Sequence, residues 1–382
     1  MTRTPVVVRA VRTPQGKEDG VFADVRSEDL SIPLIDEILE ETGLSGSDVD
    51  DLMWGCAQQR GEQDNNLARV IALLSELGEE VPATTINRWC ASSMQAIISA
   101  SDAIRAGQRD CIVAGGVENM SRNPMGEGTS HLHPQLATEY NVGELQMGMT
   151  AEKVAEEYDV SRERQDEYAL ESHRRAAEAT DEGRFDDQIV PIETDEGEVS
   201  EDEGIRRDTD METLAGLPTV FKSEGTVTPG NASQISDGAA ALLVTSREFA
   251  DDHDLEIMAE VGSNAVAGVD PTVMGIGPVP ATRALLERVD REIEAYDLVE
   301  LNEAFASQTV YARDELGIDP KRFNVNGGAI ALGHPLGASG ARLPVALLHE
   351  LGRRGGGRGL ATLCVGFGQG AAIEFTVSPS PS

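Results

Sequence analysis

The sequence predicts an α/β protein of two similar halves, with a charge-rich segment inserted into the first. Three observations carry that reading. Short apolar runs alternate with helical patterns at both ends of the 382-residue chain, as strands and helices do in α/β units. Two stretches recur at nearly equal separation: Asp51-Leu52-Met53-Trp54 matches Asp297-Leu298-Val299-Glu300, and Arg109-Asp110-Cys111-Ile112-Val113 matches Arg358-Gly359-Leu360-Ala361-Thr362. Such self-similarity marks one unit used twice. From Ser121 to about Gly230 the texture changes to many charges around one clear helix, 161–180.

In chain order, Val6, Val7 and Val8 within 5–10 make a buried strand. Leu34, Ile35, Ile38 and Leu39 recur at helical spacing across 32–42, and Gly43 stops that helix. A strand follows at 49–55 and a helix at 66–77. Residues 82–87 form a strand leading into Cys90, after which Ala91, Met94, Ala96, Ile97, Ala100 and Ile104 make a helix to Gly107. Residues 111–115 are a further strand, and 237–245 return to the core as another. The second half offers strands at 297–301, 322–326 and, last of all, 360–365, with a helix from Ala338 through Leu351. The first half thus spans 1–120 with 231–252, and the second 253–382. The insertion, 121–230, reads as a cap over strand ends, where α/β folds gather ligands.

Composition narrows the function classes. A net charge of −36 excludes a general nucleic-acid role, because phosphate neutralisation needs a basic surface. No apolar run is long enough for a membrane span, and Met1 to Val8 leave no room for a signal peptide. Cysteines at 56, 90, 111 and 364 have neither metal spacing nor a disulfide framework, so the expected setting is a reducing cytoplasm. His131 and His133 have no third ligand and read as surface-loop residues; no metal is expected. Lysine is confined to Lys17, Lys153, Lys222 and Lys321, while acidic runs such as 195–203 and 251–254 are spread along the chain. Charge so far from zero strains a compact fold, and salt screens it. The composition therefore reads as adapted to a salt-rich cytoplasm.

The chemistry concentrates in residues 324–342, where five glycines surround His334 and Pro335 follows it. Pro335 keeps His334 out of the helical region, on a turning segment just before a helix. Such a histidine suits proton transfer; the alternative is a glycine-rich phosphate loop with an incidental histidine. Cys90 lies where a strand ends and a helix begins. A helix N-terminus lowers a thiol pKa and favours the nucleophilic thiolate, against the alternative of a small buried hydrophobe. Cys364 leads into a loop with Gly366, Gly368 and Gly370 and reads as poised rather than packed. Cys56 and Cys111 fall inside strand patterns and belong to the core. In the internal repeat, the Cys90 turn corresponds to the His334 turn.

Asn-Arg-Trp-Cys-Ala-Ser-Ser around Cys90, Asn-Glu-Ala-Phe-Ala from Asn302, Gly-His-Pro-Leu-Gly around His334 and Cys-Val-Gly-Phe-Gly from Cys364 together resemble the four active-site motifs of the thiolases, the acetyl-CoA C-acyltransferases. Residues 225–240 resemble another thiolase signature. The resemblance runs through nearly the whole chain and implies a five-layer αβαβα fold with a loop domain inserted in the first half. It implies that Cys90 takes the acyl group, that His334 draws its proton, and that Cys364 is acid/base at the substrate α-carbon. Asn302, through a water, and His334 would form one oxyanion hole, and the N–H groups of Cys90 and Gly368 another. Arg206 and Arg207 would meet the CoA phosphates, Ser233 the pantetheine, and Met147 and Phe305 the walls of its tunnel. For the two arginines the alternative is pairing with Glu201, Asp202 and Glu203. CoA is a substrate, no cofactor is implied, and a homodimer or homotetramer is expected.

With its acidic composition, the chain reads as a thiolase of a halophilic archaeon. Gln146 and Phe367 depart from the acetoacetyl-forming pattern and lean toward a degradative enzyme of broader chain length. A ketoacyl-synthase-like condensing enzyme would put histidine or asparagine in place of Cys364. A non-catalytic acyl-CoA or sterol carrier on this fold would lose Cys90, His334 or Cys364.

Overall fold

A computed structural model describes residues 3–126 and 132–379 of the chain; His131 lies outside them. The first half runs β1 (Pro5–Arg12), β2 (Gly16–Lys17), α1 (Ser27–Thr42), β3 (Asp51–Gly55), α2 (Leu67–Leu74), β4 (Ala83–Ile86), α3 (Ser92–Arg105) and β5 (Cys111–Asn119). The segment after β5 carries α4 (Leu136–Glu139), α5 (Met147–Glu157), α6 (Arg162–Asp181), a hairpin of β6 (Ile192–Thr194) and β7 (Gly197–Val199), and α7 (Met211–Gly216). The chain returns through β8 (Ser236–Ser246) and α8 (Arg247–Asp252). The second half is β9 (Ala259–Gly268), α9 (Pro278–Val289), β10 (Leu298–Leu301), α10 (Ala306–Leu316), α11 (Ala329–Leu332), α12 (Leu336–Arg353), β11 (Gly357–Val365) and β12 (Gln369–Val377).

The sheet order is β10-β11-β12-β9-β1-β8-β5-β3-β4, with β2 against β8. The halves join where β1 pairs β9 through Val6–Glu260 and Val7–Ala259, and the two wings of the sheet close on α3 and α12. Helix α12 packs on β8 and β5 to one side and on β11 and β10 to the other. It is buried from Leu336 to Leu348, the condition under which a helix can be apolar all round. Gly340 allows α12 to cross α3 closely, since a Cβ there would strike the backbone nitrogen of Met94. Helices α1 and α2 cover the outer face of the first half, and α9 and α10 that of the second. The result is five layers.

The internal repeat is present at a shifted register. Asp50, not Asp51, is the equivalent of Asp297: Asp50 accepts the Cys111 N–H at 3.0 Å, and Asp297 accepts the Arg358 N–H at 2.8 Å. Strands β3 and β5 pair in parallel with Leu52 opposite Val113, and β10 and β11 with Val299 opposite Leu360. The expected strand at 322–326 is reduced to isolated bridges, Phe323 to Val299 and Val325 to Gly327. Asn324 turns left-handed there, φ 44°, and its side chain bonds both N–H and C=O of Leu301 at 2.9 Å. The chain also does not end its sheet at β11; β12 and β9, neither expected from sequence, form the second half's middle.

Two buried polar anchors hold the segment between β5 and β8 against the core. Arg12 forks onto Asp202 at 2.7 and 2.9 Å and bonds Gln188 through Nε. Removing one partner of such a buried pair costs about 3–5 kcal/mol. Glu303, just beyond β10, accepts from Tyr168 Oη at 2.7 Å and Ser172 Oγ at 2.6 Å on α6, and from the Ile330 N–H at 3.1 Å. The glycine-rich segment before His334 is thereby tied to the inserted helices. Among the described residues no helix is long and apolar enough to cross a membrane.

Candidate active site

Cys90 sits in the turn between β4 and α3, 3% exposed. The turn is tight: Trp89 takes φ 44°, a left-handed conformation strained for a bulky residue. Two backbone N–H groups point at the sulfur, that of Cys90 itself and that of Gly366 in the turn after β11. The expectation of a resting thiolate is overturned. Burial pushes the Cys90 thiol up to about 11, the two N–H groups pull it down by less, and Glu118 adds a smaller push upward. Desolvation here exceeds the influence of the helix start.

The second donor also corrects the expected one. Gly368 is engaged on another side: its carbonyl accepts the Val269 N–H at 2.8 Å, and at φ 80° a Cβ on it would strike Val269 and Pro271. Gly366, two residues after Cys364, holds the donor position at Cys90.

His334 precedes α12, whose first residue is Leu336, and is 5% exposed. Its Nδ1 lies 2.6 Å from Ser339 Oγ. The Ser339 hydroxyl hydrogen goes to the Pro335 carbonyl at 2.8 Å, so the bond to the ring is Nδ1–H donating to Ser339. That tautomer leaves Nε2 with its lone pair free. Burial, with the Arg342 guanidinium as second cause, pushes the imidazole down to about 3, and His334 is neutral at pH 7. Asn302 Nδ2 lies 3.4 Å from Nδ1 and 3.3 Å from Nε2. Being equidistant, it sits against the ring rather than on either lone pair. The amide is oriented from behind by Arg342, whose Nη2 donates to Asn302 Oδ1 at 3.4 Å. Arg342 is buried against Glu300 at 3.8 Å. Ser339, Arg342 and Gly366 were not singled out in the sequence. Their signal was position alone: one helical turn and two after His334, and two residues after Cys364.

Cys364 is 1% exposed, at the end of β11. Its thiol is pushed well above its ordinary value, by burial first and by the field of Cys90 second. It is packed, not merely poised. Around it stand Met274, Ala304, Phe305 and Met147 in one apolar cluster, with Phe221 edge-on to Phe305 at 6.2 Å between ring centroids. Met147 and Phe305 thus share a wall with Cys364, and Met274 and Phe221 extend it. Ser233 runs beside that wall, its N–H donating to the Ala304 carbonyl at 2.9 Å.

Arg206 and Arg207 lie elsewhere, in a groove of about 480 Å³ along α6 that includes His173, Arg174 and Asp181 but none of the catalytic candidates. The alternative, pairing with 201–203, does not form: Asp202 binds Arg12, Glu203 faces Lys17, and Arg207 pairs with Asp181 at 2.6 Å. Cys56 and Cys111 are fully buried. His133 is exposed, and no metal-binding cluster occurs among the described residues.

Two like halves, with a cysteine turn contributed by each and a buried histidine beside a helix start, define the class of acyl-transferring enzymes that use a cysteine nucleophile. The description "Thiolase, N-terminal domain" matches residues 5–248, and "Thiolase, C-terminal domain" matches 255–377. A beta-ketoadipyl-CoA thiolase of Pseudomonas aeruginosa is 46% identical over 98% of this chain and 99% of its own. A 3-ketoacyl-CoA thiolase of Bacillus subtilis is 45% identical over 97% and 98%. Among solved structures, the Bacillus anthracis acetyl-CoA acetyltransferase superposes with TM-score 0.91 at 42% identity, covering 98% of this chain and 99% of that one. Human mitochondrial 3-ketoacyl-CoA thiolase does so with TM-score 0.91 at 38% identity and the same coverage. The chain belongs to the thiolase family and functions as a thiolase, an acyltransferase. These relatives are bacterial and human, which lends the expected archaeal origin no support.

Proposed function

We propose that this thiolase cleaves 3-oxoacyl-CoA with CoA, through an acyl-enzyme on Cys90, and runs the reverse condensation by the same steps. The observation that carries the reading is the meeting of two cysteines, one from each half, with the Gly366 N–H on Cys90 sulfur and Cys364 in the field of Cys90. Cys90 Sγ bonds to the 3-oxo carbon as its proton passes to Nε2 of His334. Thiol and imidazole are both neutral at rest, so the proton moves during attack and not before. The carbonyl oxygen becomes an oxyanion held by preorganised N–H donors. Collapse breaks the bond between C2 and C3; its electron pair goes to C2, which takes a proton from Cys364 and leaves as acetyl-CoA. CoA then attacks the acyl-enzyme, giving its thiol proton to Cys364, and Cys90 leaves with the proton from His334. A cysteine nucleophile keeps the acyl group a thioester throughout, which a serine ester would not.

CoA contact by Arg206 belongs to this reading. Gln234 Nε2 bonds the Gly204 carbonyl at 2.9 Å, two residues before Arg206, while its own carbonyl accepts the His334 N–H at 3.3 Å. Broad, degradative chain length is inferred from Phe367 and from the open apolar wall of Met147, Met274 and Phe221. A homodimer or homotetramer belongs here too, supported by the unpaired edge of β4 and the exposed Leu73 and Leu74 on α2. So does a reducing, cytoplasmic setting, supported by four free cysteines. The direct test is CoA-dependent loss of 3-oxoacyl-CoA substrates of graded length. Release of acetyl-CoA with a shortened acyl-CoA is expected at several lengths; a substrate that is bound but never cleaved contradicts the reading and favours a carrier.

Salt adaptation is inferred from the charge of −36 and the four lysines. At 1 M salt the Debye length is about 3 Å, so repulsion among the acidic residues is screened. Melting temperature and activity are expected to rise with KCl well beyond ordinary ionic strength. A melting temperature that is unchanged from dilute buffer to molar KCl would remove this part of the proposal.

A further inference from the structure

The two turns that carry Cys90 and Cys364 come from different halves, so the placement of the Gly366 N–H on Cys90 sulfur depends on contacts that cross between them. Two such contacts flank the cysteines. Arg88, two residues before Cys90, donates through Nη1 to Gln369 Oε1 at 3.0 Å, and through Nε to Gln95 Oε1 on α3 at 2.8 Å. Its guanidinium is thereby held on its own half and reaches to the other. Trp89 lies against Phe367, ring centroids 5.6 Å apart. Both aromatic residues are left-handed, φ 44° and 61°, and partly exposed at 36% and 38%. Bulky residues keep such conformations only where their surroundings over-determine them. Nothing in the chemistry above uses Arg88, Trp89 or Gln369.

We propose that Arg88 and Gln369 are positioning residues that clamp the two cysteine turns together, fixing the Gly366 N–H at Cys90 and so the geometry of the donor pair on which acyl transfer relies. The inference rests on the proposed Cys90 acyl-enzyme. Arg88 touches neither substrate nor sulfur; it acts through the Gln369 side chain and the turn that precedes it. The Trp89–Phe367 contact closes the same seam from the solvent side. A guanidinium suits the task because its planar fork satisfies two acceptors in fixed directions, which a lysine ammonium does not.

The test is a double-mutant cycle of Arg88→Met and Gln369→Leu, with two readouts. In thiolysis, each single variant should lower kcat by about 10²-fold, the usual size of a misplacement near the reacting atoms, with KM for the 3-oxoacyl-CoA little changed. The double variant should be no worse than either single one, because both remove the same clamp. The second readout does not need catalysis: the rate of iodoacetamide alkylation at Cys90, followed by peptide mapping, at a fixed pH. The Gly366 N–H favours the thiolate, so its displacement raises the Cys90 pKa and slows alkylation in both single variants. Gln369→Glu keeps an acceptor opposite the guanidinium and should retain wild-type kcat. Additive losses in the double variant, wild-type alkylation rates in both singles, or a Gln369→Glu loss equal to that of Gln369→Leu would each overturn the clamp. Failure of the underlying reading looks different: the wild-type protein itself would then show no thiolysis.

Discussion

Cys90→Ala should leave the protein folded and reduce thiolysis by at least about 10⁴-fold, the scale on which loss of a nucleophile is felt. Folding should survive because the change removes one small group from a turn and leaves its other contacts in place. Ala91 N–H still bonds the Arg88 carbonyl at 3.0 Å, and Ser92 Oγ still accepts the Arg88 N–H at 3.0 Å. The whole loss should fall on kcat, since the proposed CoA contacts do not involve the sulfur. The variant's melting curve, read beside its rate, checks both halves of the expectation. A variant with substantial residual turnover would move the nucleophile elsewhere, with Cys364 the first to reconsider.

Cys364→Ala should separate the second cysteine's role from the first. Cys90 should still be alkylated by iodoacetamide, while exchange of the α-protons of acetyl-CoA with solvent should fall by at least about 10²-fold, the usual size of an acid/base contribution. Burial and the neighbouring Cys90 both push the Cys364 thiol upward. Exchange at the wild-type rate in the variant would place the base elsewhere, and His334 would be next in line.

Much of this was legible in the sequence where apolar content and local chemistry agreed. Strands β1, β5 and β8 are continuous apolar runs, buried along nearly their whole length, and α3 shows its buried face at helical spacing. His334 was placed by Pro335, a backbone constraint that tertiary packing does not override. Strands β9 and β12 went unseen because they are rich in Gly, Ala and polar residues; β9 alternates buried with exposed positions, and β12 is buried by its neighbours rather than by its own apolarity. The strand at 322–326 failed because Asn324 spends its side chain on Leu301, an interaction that no periodicity announces. At the site, residue types were readable but the balance of forces was not. The start of α3 argued for a thiolate at Cys90, and only the depth of burial decides otherwise. Glycine spacing likewise did not distinguish Gly366 from Gly368; the fold does, by turning one N–H to the sulfur and packing the other residue against Pro271.

The most direct measurement is the intact mass of the wild-type protein after brief exposure to acetyl-CoA, with the modified peptide mapped. The account predicts an increment of one acetyl group, located on Cys90 and discharged when free CoA is added. An unmodified protein, or an acetyl group on any residue other than Cys90, would contradict it.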